Sequence, residues 1–445
     1  MATIPRRAPT QEVPISSAQA RLWFLEQLRP GTNAWNVPIA VRLRGPLAVE
    51  PLRQALELLV ERHRTLRTVF PAPGGRPAPV VLDTPPFELP VEEGREEDVQ
   101  PFLDGEIGRP FDLEHDLMLR GRLLRVGSDE HVLALVAHHI ACDGWSKAVL
   151  LDELGQAYAA LRDGRAPTLP KLPVDYADYA LWQRARLSGE TLERLTSYWK
   201  ARLAGAPPAL ELPIDHPRPP RQAFEGAVVW LSVPAELTRA LLDLGRGERA
   251  TSFMTLLAAF KALLFRWTGQ EDVLVGSPAA MRTRRELAGL VGLFANTLVY
   301  RTSLAGRPSF RELVGRVRRT ALGVYEHQDL PFEQIVQVVA PPRDLSRSPL
   351  VQVNMRVEGR EPQLHLPGVE SERLEVDPHI ARFDLAIELG EQEDGGYAGY
   401  LEYDTALYEP ATAQRIADDF VAVLEAVVAA PDEPLERKGV RHFRA

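Results

Sequence analysis

Apolar positions along the chain follow two alternating periods. Ser16 to Leu25 opens with a serine cap followed by apolar residues at helical spacing, which predicts a short helix. Asn36 to Leu43 alternates and is rich in valine and isoleucine, as a strand would be. From Glu50 to Arg64, Leu52, Ala55, Leu56, Leu58 and Leu59 draw the stripe of an amphipathic helix. Leu66 to Phe70 turns β-like, and a Pro/Gly cluster from Pro71 to Pro79 marks a turn. Helix, strand, helix, strand is the texture of an α/β lobe.

His131 to Ile140 (HVLALVAHHI) is an apolar run of strand length, and Ala141-Cys142-Asp143-Gly144 ends it. A helix pattern then runs from Trp145 to Leu161, with Asp143 where an N-cap or first-turn carboxylate is favoured. A further helix is expected from Asp175 through Trp182 to Leu203. After it, the segment Ala206 to Arg221 holds six prolines and reads as a stiff, extended connector. The second half repeats the α/β texture. Strands are expected at Ala227–Val233, Asp272–Val275, Val351–Val357, Leu374–Val376, Leu385–Leu389 and Tyr397–Tyr403. Helices are expected at Ser252–Trp267, Ser309–Gln328 and Ala411–Val428. The similar element order of the two halves is compatible with two copies of one fold.

Composition narrows the class. A chain of 445 residues is about right for two domains. With 45% hydrophobic and 25% charged residues it reads as globular. A net charge of −9 with no Lys/Arg block gives no reason to expect nucleic acid as a partner. Cys142 is the only cysteine, which excludes an internal disulfide and suits a reducing compartment. No apolar run approaches the roughly 20 residues that span a bilayer. Met1 to Thr10 carries no apolar core of a secretory signal, so a cytoplasmic protein is the expectation.

His131, His138 and His139 are three of the ten histidines. The pattern His-His-x-x-x-Asp-Gly ends a strand and starts a helix, where side chains project into a cleft. A neutral imidazole there can act as a general base toward an amine or hydroxyl. Asp143 can hold the loop through an arginine or fix a tautomer, and Gly144 allows close backbone approach. Spacing alone supports a packed histidine pair above an ordinary helix cap equally well. Adjacent histidines point to opposite sides of a strand, which disfavours a metal site. Cys142 reads as a small packed side chain rather than a nucleophile.

Seven segments in order then carry a resemblance. They are SSAQARLWFLEQL (Ser16–Leu28), RHRTLRTVF (Arg62–Phe70), AHHIACDGWS (Ala137–Ser146), VDYADYALWQ (Val174–Gln183), VGLFANTLVYR (Val291–Arg301), HQDLPFEQIV (His327–Val336) and RDLSRSPLVQV (Arg343–Val353). Together they resemble the motif series of the condensation domains of non-ribosomal peptide synthetases. The short HxxxDG signature also occurs in other acyltransferases, but the ordered series covers nearly the whole chain. Two spellings depart from the family pattern: Cys142 replaces the more usual Ser, Val or Ala, and Ala295 stands where Val is more common. Both are changes of size. The Asp-x-x-x-x-Asp pattern of cyclisation domains is absent, and the first and third motifs lean toward an L-configured or plain acyl donor.

The resemblance implies an α/β fold of two chloramphenicol-acetyltransferase-like lobes, arranged as a V-shaped pseudo-dimer with a central tunnel. Residues 1–180 would form the N-terminal lobe carrying HHxxxDG, and residues 181–445 the C-terminal lobe, including the Pro-rich connector 206–221. His139 would be catalytic, supported by His138, Asp143 and Gly144, with Asp143 paired to Arg62 or Arg67. Trp145, Trp182, Asn296, Ser348, Gln352 and Arg284 are candidates for tunnel or carrier contacts. No permanent cofactor or metal is implied; the 4'-phosphopantetheine arm of a partner carrier protein would deliver the acyl group. The acceptor would be an amine or a hydroxyl, carrier-bound or soluble. Rival readings are a coenzyme-A-dependent acyltransferase and a non-catalytic carrier-docking module. The chain ends suggest either an excised piece or a free-standing enzyme. The basic cluster Arg282, Arg284 and Arg285 reads as a solvated loop, as does the acidic run Glu92 to Asp98.

Overall fold

The computed structural model describes residues 3–8, 12–83, 86–360 and 362–436; residues 1–2 and 9–11 of the N-terminal stretch and 437–445 of the tail lie outside the described residues. The architecture is mixed α/β in two units. The first comprises Met1–Gly189, Ala280–Ala295 and Pro362–Pro378, and the second Glu190–Ala279, Asn296–Glu361 and His379–Ala445. A single cut at residue 180 therefore does not describe this chain. Two segments from its later half are built into the first unit.

In the first unit the order is α1 (Ser17–Leu28), β1 (Asn36–Arg44), α2 (Val49–Arg62), the short β2 (Thr68–Val69) and β3 (Val80–Val81), β4 (Val91–Glu93), α3 (Val99–Gly108), β5 (Leu119–Gly127), β6 (Glu130–His138), α4 (Gly144–Arg162) and α5 (Tyr176–Arg186). The late segment adds β11 (Glu370–Arg373), numbered in chain order. The main sheet runs β11-β1-β6-β5-β4, antiparallel except for the β4–β5 pair. From His131 to His138 every β6 residue is buried. That matches an interior strand covered on both faces, and explains its unbroken apolar run. Helix α3 lies against β1, β5 and β6, while α2 packs on α4.

Local signals place the helices. Ser16 caps α1 in a reciprocal box with Gln19, and Asp175 does the same for α5 with Asp178. The helix expected from Asp175 to Leu203 is broken in two. Leu187 ends α5, and Gly189, at φ 53°, begins α6 (Gly189–Leu203). The strand expected at Leu374–Val376 lies a few residues earlier, as β11. The acidic run contains β4 and a 3₁₀ turn, and its Glu92, Glu93 and Glu96 pair with Arg122, Arg125 and Arg42.

The second unit continues from α6 through β7 (Gly226–Val233), α7 (Ala235–Gly247), α8 (Ser252–Thr268), β8 (Asp272–Ala279), β9 (Asn296–Ser303), α9 (Phe310–Glu326), α10 (Phe332–Val339), β10 (Val353–Glu358), β12 (Leu385–Glu391), β13 (Tyr397–Asp404) and α11 (Pro410–Ala429). Its sheet runs β7-β13-β12-β10-β8-β9, with β10 parallel to both neighbours. Helix α8 packs on β8 and β10, α9 on β9, and α11 on β7. Among the described residues no helix is long and apolar enough to cross a membrane.

Gly155 shows how the late segment seats on the first unit. A Cβ there would lie 2.6 Å from the carbonyl oxygen of His365, a backbone atom that cannot swing aside. In a free helix Gly→Ala gains about 1 kcal/mol. Forcing the segment off α4 costs about 1–3 kcal/mol, as overpacking does. Gly155→Ala is therefore expected to lower the melting temperature by a few degrees in a thermal scan. A rise would mean that residues 362–378 do not seat on α4.

Candidate active site

The turn between β6 and α4 carries the two histidines, and their bonds give them different chemistry. His138, the last residue of β6, is buried, and its ring meets Phe111 edge-on at 5.5 Å. The Ile140 N–H donates to His138 Nδ1 at 3.1 Å. Nδ1 must therefore carry a lone pair, and the proton of the neutral ring sits on Nε2, 3.2 Å from Glu26 Oε1. His139 lies just beyond the strand and is half-buried. Its Nδ1 is 2.7 Å from the Cys142 carbonyl oxygen, which can only accept. In the neutral ring of His139 the proton is thus on Nδ1, and Nε2 holds the lone pair that a general base requires. The His139 N–H is tied in turn to the Trp35 carbonyl at 2.8 Å.

Asp143 is the N-cap of α4 and is 1% exposed. Its Oδ1 accepts from the Ser146 N–H at 2.9 Å and from Arg282 Nη2 at 3.0 Å, and Oδ2 accepts from the Phe294 N–H at 3.0 Å. The Ser146 hydroxyl, 2.7 Å from Oδ1, accepts from Arg282 Nη2 at 2.8 Å and from the Gly292 N–H at 3.0 Å. The Arg282 side chain is 1% exposed, donates to the Leu287 carbonyl, and lies 4.0 Å from the Phe294 ring centroid. Segment 280–295 thus closes over the helix cap. From the other side, the Tyr176 hydroxyl donates to the Leu293 carbonyl and receives the Ser16 hydroxyl at 2.8 Å.

This pairing corrects the expectation from sequence. Arg62 instead forks onto Glu153 at 3.0 Å, and Glu153 also meets His63 Nε2 at 2.7 Å. Burial raises the Glu153 pKa, but the bonds from His63 and Arg62 outweigh it and hold the carboxyl below its usual range. Arg67 donates to the carbonyls of Glu61 and Leu82. The reading of Arg282 as part of a solvated basic loop is likewise corrected, since its guanidinium is the buried partner of Asp143. Cys142 is fully buried, and burial pushes its thiol up, away from a nucleophilic thiolate.

The remaining candidates separate. Gly144 is the first residue of α4 and half-buried. Trp145 is 47% exposed and donates through Nε1 to the Ala288 carbonyl. Trp182 packs on the apolar cluster of Val174, Tyr179, Leu290 and Phe294, with the Arg284 guanidinium 5.3 Å from its ring. In the second unit, Asn296 donates to the Gln328 and Leu330 carbonyls and accepts from the Phe332 N–H. Gln352 is buried, accepts from the Leu210 N–H and donates to the carbonyl of Ser348. Those two amides pin segments of the second unit together. Sequence reading missed Glu26 and Ser146. A glutamate at the end of a serine-capped helix looks like surface, and only its burial sets it apart.

A strand-end histidine with an oriented lone pair, braced by a buried aspartate at a helix cap, sits in an α/β unit. The model of the family described as "Condensation domain" matches residues 10–440, and the chain belongs to that family. Its relatives are peptide synthetases. It is 40% identical to the malpinin synthetase of Mortierella alpina over 95% of this chain and 6% of that protein. It is 41% identical to the phosphinothricin tripeptide synthetase PhsC of Streptomyces viridochromogenes over 99% of this chain and 42% of that protein. The chain thus spans only a fraction of the length of these relatives. Among solved structures, the X-domain from teicoplanin biosynthesis superposes with a TM-score of 0.91 at 30% identity, covering 98% of this chain and 99% of that one. The first condensation domain of the calcium-dependent antibiotic synthetase gives 0.81 at 22% identity, covering 96% and 98%, a likeness of fold.

Two stability tests follow from the geometry. Arg282→Leu and Asp143→Ala should each cost about 3–5 kcal/mol, because either leaves a buried charge uncompensated. In urea melts the double variant should lose less than the sum. Arg67→Ala should cost far less; equal losses would return Arg67 to the site. The second test concerns Glu26, whose carboxyl is pushed up to about 7 by burial. The folded state then binds more protons than the unfolded state between about pH 4.5 and 7, so stability falls as pH rises through that window. Relative to Glu26→Gln, the wild type should lose up to about 3 kcal/mol across it. A pH-independent difference would contradict the burial argument.

Proposed function

We propose that this condensation domain transfers an acyl or aminoacyl group from a carrier protein's phosphopantetheine thioester to an amine, forming an amide, or to a hydroxyl, forming an ester. The observation that carries the reading is the 2.7 Å bond from His139 Nδ1 to the Cys142 carbonyl. It fixes the ring and leaves the lone pair on Nε2, on the more exposed of the two histidines. In the step itself the acceptor nitrogen or oxygen attacks the thioester carbonyl while His139 Nε2 takes its proton. The carbon–sulfur bond then breaks, and the departing pantetheine sulfur receives that proton from the imidazolium. Asp143 takes no proton; it holds α4 and the turn through Arg282, Ser146 and Phe294.

A second reading is favoured by one specific likeness. An X-domain from teicoplanin biosynthesis has been solved in complex with OxyB, and this chain superposes on it with a TM-score of 0.89 at 30% identity. A module that docks a partner without turning over substrate would share the fold and leave His139 idle. Acetyl, octanoyl, glycyl, L-alanyl and L-phenylalanyl groups, loaded on a phosphopantetheinylated carrier, separate the two when offered with carrier-bound L-phenylalanine, a free amine or a free alcohol. The expected result is product with at least one pair, falling about 10²–10⁴-fold in His139→Ala at unchanged melting temperature. Product without dependence on His139 rejects the base assignment. Absence of product with every pair favours docking, and faster transfer from the coenzyme A esters makes the enzyme a coenzyme-A-dependent acyltransferase.

A further inference from the structure

The acyl-transfer step uses neither His138 nor Glu26, yet both are buried behind the turn that carries His139. Glu26 lies in the last turn of α1, seven residues after Gln19. Seven residues are close to two helical turns, so the two side chains share one face. Gln19 Nε2 donates to the Ile140 carbonyl at 3.2 Å. Glu26 reaches the same residue indirectly. Its Oε1 faces His138 Nε2 at 3.2 Å, and His138 Nδ1 accepts the Ile140 N–H at 3.1 Å. One face of α1 therefore grips both the N–H and the carbonyl of the residue that follows His139.

The His138 ring makes this grip conditional. It can accept from Ile140 only while its proton stays on Nε2, and the Glu26 oxygen is the acceptor that favours that tautomer. Moving the proton to Nδ1 would set two donors, Nδ1–H and the Ile140 N–H, against each other. The edge contact with Phe111 packs against the ring in its present orientation. We propose that Glu26 is a positioning residue for His139, acting through the tautomer of His138 to hold the turn in which His139 Nδ1 reaches the Cys142 carbonyl. The proposal rests on the reading of His139 as the general base, but its first test needs no turnover. A carboxamide has the same reach and an acceptor oxygen, so Glu26→Gln preserves the arrangement. Glu26→Met fills similar space and offers no such acceptor.

Two-bond ¹H–¹⁵N spectra of the chain labelled at histidine nitrogens report each tautomer directly. His138 and His139 are assigned by the His138→Gln and His139→Gln variants. The expected wild-type pattern is Nε2–H at His138 and Nδ1–H at His139. Glu26→Gln should keep both patterns. Glu26→Met should scramble that of His139 while the protein still melts cooperatively. With the donor–acceptor pairs above, Glu26→Met should lower kcat at least about tenfold with KM within about twofold, and Glu26→Gln should stay within about threefold of wild type. An unchanged His139 signature and kcat in Glu26→Met would overturn the proposal, as would equal losses in Gln and Met. A wild-type proton on His138 Nδ1 overturns it without any variant. Failure of the base reading shows separately, as turnover that survives His139→Ala.

Discussion

The buried contact between Asp143 and Arg282 is the constraint on which the turn between β6 and α4 depends. A capping aspartate at a helix N-terminus is ordinary and usually half-solvated. Here carboxylate and guanidinium are both about 1–2% exposed, so each has lost its water. Desolvating such a pair is recovered only when the remaining lone pairs and protons find partners. Ser146, Phe294 and Leu287 supply them for each polar atom except Arg282 Nε, which stays buried without a hydrogen-bond partner. The consequence is topological. Residues 280–295 must return to the first unit although the strands on either side of them belong to the second. Gly292 is part of the same requirement, since a Cβ there would stand 2.3 Å from the Tyr176 ring.

Around that fixed cap, two adjacent histidines meet opposite backbone groups. Neighbouring positions at a strand end face different surroundings. His138 turns inward, meets a backbone N–H and is obliged to accept. His139 meets a backbone carbonyl and is obliged to donate. Peptide groups thus favour a lone pair on His138 Nδ1 and a proton on His139 Nδ1 before any ligand arrives.

The helix caps and the β6-to-α4 junction were legible because they are local. Ser16 and Asp143 cap where the sequence places a cap, and Asp175, Thr251 and Ser309 cap helices that begin within a residue of their expected starts. The motif series was legible because its order is itself information. What failed was long range or masked by charge. Arg282 pairs with Asp143 across 139 residues, and nothing local distinguishes it from Arg284 and Arg285. Strand β11 is built from Glu370–Arg373, exposed and charged as edge strands are, so the nearby apolar Leu374 and Val376 drew attention instead. The break before Gly189 falls inside the single helix expected from Asp175 to Leu203, where Ser188-Gly189 is the only local cue. Lys261 sits fully buried in the apolar face of α8, donating to the Val273 and Tyr300 carbonyls, and a stripe of hydrophobic positions gives no hint of it. Asn296 and Gln352 were visible as motif residues, but a motif does not reveal that an amide spends its bonds on its own backbone.

An ion pair is an expensive way to make a core stable, because well-packed apolar side chains of similar volume often do as well or better. What the Asp143 network adds is direction. Its bonds fix the first turn of α4 and the last peptide before it, and that peptide follows the carbonyl that orients His139. A general base must meet three demands together: a lone pair within reach of substrate, a ring that does not rotate, and a pKa near the working pH. On the proposed reading of His139 as the base, the Cys142 carbonyl supplies the second and the half-buried placement of the ring serves the first. Buried charge here serves geometry, because it holds the turn between β6 and α4 that carries His139.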